Sequence, residues 1–111
     1  MKPLDLAFRY MDIVFAGDRI DNLSYLLADK FTFCGPFYEF NSAESYINSL
    51  KADPPVGFNY SPIATFEDKS SACLIYQFSK PGISVPMAQI FQIANGKISN
   101  ILLIFDTGAF T

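Results

Sequence analysis

Few side chains in this 111-residue chain can do chemistry near neutral pH, and those few lie scattered among apolar runs. There is no histidine, which removes His-based triads, His metal ligands and the usual general base. Cys34 and Cys73 are isolated thiols in apolar, strand-like contexts. Without a short spacing they read as buried, reduced cysteines, and Cys34 has no cationic neighbour to make it nucleophilic. Asp106 follows the last apolar run. Buried against apolar neighbours it would have a raised pKa and could act as acid or base; as a strand-end aspartate it would bond local backbone. Glu39, beside Tyr38 and just past Pro36, is a second acid, on a loop. Gln77 and Gln89 stand inside apolar runs, where a buried amide must find partners: each other, Tyr10, or the oxygen of a ligand. No metal site and no cofactor are expected.

Composition sets the frame for these groups. The length fits one domain over residues 1–111. Half the residues are hydrophobic, with 12 Phe and 6 Tyr, enough to bury a core without disulfides or metal. A net charge of −3 argues against nucleic acid, whose phosphates need a basic face. No apolar run approaches membrane-spanning length and no polybasic segment marks a membrane surface, so no membrane partner is expected. An acidic residue at position 5 interrupts what would be the core of a signal peptide, and a cytoplasmic protein is expected.

The elements that must position the chemistry are legible from periodicity. Leu4, Ala7, Phe8, Met11, Val14 and Phe15 recur at helical spacing, with Asp5 and Arg9 four apart and Gly17 able to end the helix. Asp18 can cap a shorter helix carrying Ile20, Leu23 and Leu27. Phe31–Gly35 reads as a strand stopped by Pro36. A third helix from Asn41, with Glu44 as capping-box partner, shows Ala43, Tyr46, Ile47 and Leu50 on its apolar face and closes at Pro54-Pro55. Four strands follow over 58–67, 72–78, 85–93 and 98–105, and Asn95-Gly96 is the strongest hairpin signal. Helices first and an antiparallel meander after is an α+β plan. The last strands are apolar on both faces, so one face should cover the helices and the other should meet a second copy, giving a homodimer packed sheet to sheet.

In order and spacing these pieces resemble the nuclear transport factor 2-like superfamily, in its SnoaL-like and ketosteroid-isomerase-like branch. The resemblance rests on 9–14 (Arg-Tyr-Met-Asp-Ile-Val) with Gly17-Asp18, on Leu27-Ala28-Asp29 with Phe31-Thr32-Phe33 and Gly35-Pro36, and on 42–47. At the C-terminal side it rests on Phe91-Gln92-Ile93, Asn95-Gly96-Lys97-Ile98 and Ile104-Phe105-Asp106. It spans almost the whole chain and implies a curved sheet wrapped around helices, a cone whose interior holds a ligand. It also implies roles. Tyr10 matches the tyrosine that binds the substrate oxyanion in the steroid isomerases. Gly35 stands where their aspartate base precedes a proline, and Gln89 where a protonated aspartate donates the second hydrogen bond. The Asp–Arg–Asp set of the limonene epoxide hydrolase branch is also missing, with Leu103 in place of its last-strand aspartate.

The expected interior comprises Tyr10, Thr32, Cys34, Cys73, Gln77, Met87, Gln89, Phe91, Leu103 and Phe105, mostly apolar with a few polar groups, as in small-molecule pockets. The function read from this is binding of a small apolar or oxygen-bearing molecule without the isomerase base. One alternative is an isomerase, cyclase or dehydratase using Tyr10 and Gln89 as oxyanion donors with Asp106 or Glu39 as acid/base. Another is a protein-interaction module using the apolar sheet face.

Overall fold

The computed structural model describes residues 1–110. Helix α1 spans Pro3–Ala16, and Gly17 ends it at φ 77°, the left-handed conformation its sequence position calls for. Asp5 and Arg9 form no ion pair; the Asp5 carboxylate instead accepts the Lys2 amide at 3.1 Å. The second helix is only a 3₁₀ segment, Ile20–Tyr25, with Arg19 and not Asp18 in the cap position. Leu27, expected on that helix, opens strand β1, Leu27–Cys34. Gly35 donates its amide to the Tyr38 carbonyl at 2.9 Å, so the break at Gly35-Pro36 is a tight reversal into a two-residue strand, β2, Glu39–Phe40, that sequence reading takes for loop. Helix α2, Ala43–Ala52, is capped by Ser42, whose hydroxyl accepts the Ser45 amide at 3.1 Å. The expected start at Asn41 with a Glu44 box is therefore one residue early, because it is the Ser42 oxygen that reaches the open amides of the first turn.

Strands β3 (Asn59–Glu67), β4 (Ser71–Lys80), β5 (Ile83–Ala94) and β6 (Lys97–Phe105) complete a curved, unclosed six-stranded sheet in the order β2-β1-β6-β5-β4-β3. Pairing is antiparallel except between β1 and β6, which run parallel with Phe33 beside Ile101. The Asn95-Gly96 turn has φ 53° and 75°, the paired positive values of the tight hairpin turn its sequence announces. A second 3₁₀ segment, Thr107–Phe110, follows β6.

The two faces of the sheet differ. Its concave face carries Phe31, Leu74, Phe91 and Ile101, each almost fully buried beneath Ala7 and Met11 of α1 and Tyr46 and Ile47 of α2. Its outer face carries two apolar rows set by the register: Phe66, Cys73, Ile90, Leu102 and Cys34, then Ala64, Ile75, Ala88 and Ile104. A polar row of Ser71, Gln92, Asn100 and Thr32 flanks them. Among the described residues no helix is long and apolar enough to cross a membrane.

Candidate functional site

The helices cover only part of the concave face, leaving a cavity of about 470 Å³, within the range of small-molecule sites. Tyr10, Met87, Gln89, Leu103 and Phe105 line it. Tyr10 comes from the third turn of α1, and Met87 and Gln89 from alternate inward positions of β5. Phe91, one further inward position along, lies behind the wall and braces Tyr10 edge-on at 5.3 Å between ring centroids.

Four expected interior residues lie elsewhere. Thr32, Cys34, Cys73 and Gln77 are on the outer face of β1 and β4. Phe31, Phe33, Tyr76 and Phe78 are the inward members of those strands, and period-two alternation then sends the intervening residues out. Gln77 donates to the Ser84 hydroxyl at 2.9 Å, and the Cys34 thiol meets the Glu39 carboxylate at 3.6 Å. Partial burial, then that carboxylate, push the Cys34 thiol up, away from thiolate character. The two acid candidates are also outside the cavity. Asp106 is exposed and accepts the Gly108 amide at 2.9 Å, a local turn role. Glu39 is exposed on β2.

At the cavity floor four polar side chains converge. The Tyr10 and Tyr46 hydroxyls share a hydrogen bond. Tyr76 donates to the Gln89 side-chain carbonyl at 2.8 Å, and the Gln89 amide in turn hydrogen-bonds Tyr10. Gln89 is 3% exposed, and among the described residues no buried side-chain polar atom lacks a partner. Burial pushes the Tyr10 phenol up to about 12, against the pull of its bonds to Tyr46 and Gln89. Tyr46 and Tyr76 are held above the usual tyrosine range, also chiefly by burial. All three phenols therefore keep their protons at neutral pH and act as neutral donors. Three hydroxyls and one amide carry five polar hydrogens, and the bonds just named use three. Two are not used by these bonds.

Tyr46 and Tyr76 were not anticipated as site residues. Tyr46 counts as apolar in a helical pattern, which hides its hydroxyl. For Tyr76 a signal exists: Ala72, Leu74, Tyr76 and Phe78 form the more apolar of the two alternating sets on β4, hence its inward face. Two side chains of the lining carry a charge at neutral pH, Asp53 at the end of α2 and Lys80 at the end of β4. Gly35 also lines the cavity, but a β-carbon there would lie 3.1 Å from the Phe33 ring, so the position that holds a base in the resembling isomerases has no open space beside it. Among the described residues no group of three His, Cys, Asp or Glu side chains is placed to hold a metal.

No family model matches the sequence, and no curated protein does. Solved structures do. A nuclear transport factor 2-like protein of unknown function from Cytophaga hutchinsonii superposes with a TM-score of 0.84 at 22% identity, over 99% of this chain and 95% of that one. A protein from Jannaschia sp. CCS1, provisionally named as a SnoaL-like polyketide cyclase, gives 0.81 at 12% identity over 97% and 88%. One from Kribbella flavida, provisionally named as a ketosteroid isomerase, gives 0.79 at 15% over 92% and 76%. The chain therefore has the α+β cone fold of the nuclear transport factor 2-like proteins. At these identities the likeness establishes the fold alone.

Proposed function

We propose that this protein binds a small, mainly apolar molecule bearing a carbonyl or hydroxyl oxygen, with that oxygen at the Tyr10–Gln89 end of the cavity. The observation that carries this reading is the excess of donors over bonds in the buried Tyr10–Tyr46–Tyr76–Gln89 cluster, which opens onto an otherwise aromatic and aliphatic cavity. Apolar walls drive entry by excluding water, and the donors fix orientation. No carboxylate lies at the floor to move a proton, so binding is favoured over turnover. Native mass spectrometry of the purified protein tests it. A co-purified organic molecule of a few hundred daltons, lost in a Gln89→Leu variant, supports the reading; an empty protein that also fails to bind naphthols or cyclic ketones ends it.

A catalytic reading is supported by one observation, Asp53 in the lining. On that reading Tyr10 and Gln89 would polarise an oxygen while Asp53, in place of Asp106 or Glu39, moved a proton, as the isomerase and cyclase names of fold neighbours suggest. It requires turnover of a ketone, enol or epoxide that Asp53→Asn removes. For the outer face, whose two apolar rows have a polar border, we propose a second copy of the chain as the cover.

A further inference from the structure

The two ends of the cavity differ in charge. Lys80 is the last residue of β4, and alternation from Tyr76 and Phe78 places it on the concave face. Its ammonium lies 5.2 Å from the Phe58 ring centroid and 5.4 Å from that of Phe110. A lysine at a strand end usually extends its head into water. This one is half-buried over two aromatic rings of the cavity's mouth, and among the described residues no carboxylate pairs with it. Asp53, the other charged side chain of the lining, is exposed and screened by water. The floor offers neutral donors; the mouth offers one positive charge, partly desolvated and held by rings.

We infer that the ligand is a flat apolar molecule with a carboxylate at one end, held by Lys80, and a hydroxyl or carbonyl oxygen at the other, held by Tyr10 and Gln89. This rests on the reading of the interior as a ligand site and narrows its ligand class. The net charge of −3 works against anions at long range, so any preference for an acid over its neutral ester must come from a local cation. Lys80 is the lysine or arginine of the lining.

The test uses 6-hydroxy-2-naphthoate and its methyl ester, titrated into the full chain and followed by probe fluorescence. The pair shares one aromatic body and differs only in charge at one end. The acid is expected to bind more tightly than the ester and to lose affinity with added salt. Lys80→Gln is expected to weaken the acid about three- to tenfold and to shift the ester by less than about twofold. Lys80→Arg retains the preference. Equal affinity for acid and ester in the native protein, or equal loss of both in Lys80→Gln, overturns the inference. In that case ester binding that is still weakened by Tyr10→Phe leaves the oxygen-binding site standing. Binding of neither probe removes both.

Discussion

Tyr10 of α1 and Tyr46 of α2 share a hydrogen bond between their hydroxyls, although 36 positions separate them in the chain. Their rings are nearly parallel, with centroids 6.5 Å apart, and Phe91 of the sheet supports the first edge-on. The contact therefore ties both helices together above the concave face and builds the polar end of the cavity in the same stroke. Both phenols are buried, and the Tyr46 hydroxyl depends on Tyr10 for its partner, while Tyr10 is also bonded by Gln89.

That dependence predicts coupling. Tyr10→Phe and Tyr46→Phe should each cost about 1–2 kcal/mol, because each removes the same buried hydrogen bond. The double variant should cost less than the two together. Urea midpoints for the four-protein cycle measure this, and strict additivity would show that the two hydroxyls do not interact.

Gln89→Leu should be more damaging than its size suggests. It removes the acceptor of the Tyr76 hydroxyl and the amide bonded to Tyr10, for about 1–3 kcal/mol. Combining it with Tyr76→Phe should restore part of the loss, since the second change removes the group left unpaired. A thermal melt of both variants checks the order.

Alkaline stability follows from the same burial. The Tyr10 phenol lies at about 12 in the fold against an ordinary value of 10, so the unfolded chain loses that proton first. Its contribution is complete below about pH 10 and is lost as pH rises toward about 12, about 2–3 kcal/mol in all. Tyr46 and Tyr76 act in the same direction and steepen the fall. Denaturant midpoints across this window, with tyrosinate absorbance followed in parallel, should show a shallower slope for Tyr10→Phe.

The outer face predicts the assembly. Ile104 is 50% exposed at the end of an apolar row, across from Ala88 and on the same face as Leu102. Sedimentation should give a dimer for the native chain and a monomer for Ile104→Asp with unchanged secondary structure. A native monomer at tens of micromolar would sink the sheet-to-sheet proposal.

Gly35→Ala should destabilise the fold by about 1 kcal/mol. The added carbon meets the Phe33 ring at 3.1 Å, and that ring is held by Tyr46 at 5.0 Å and Phe40 at 6.1 Å, so it has little room to give. A variant as stable as the parent would mean the ring moves freely.

Local chemistry determined much of this protein from sequence. Helical spacing in 4–15 gave α1, Gly17 its end, and Asn95-Gly96 the β5–β6 hairpin, because backbone conformation at those points depends on one or two residues. The α+β order and the apolar character of both sheet faces were equally legible. Tertiary structure decided which face points inward. On β1 and β4 period two separates Cys34 from Phe33 and Gln77 from Tyr76 and makes the sets with Phe33 and Tyr76 the more apolar; helix packing against those sets fixes them as the inward face. It also decided the site. Tyr10, Tyr46, Tyr76 and Gln89 come from four different elements, while Lys80 at the end of β4 meets Phe58 from just before β3 and Phe110 from the 3₁₀ segment after β6. No sequence period relates residues brought together by packing at such separations; sheet curvature and helix placement do.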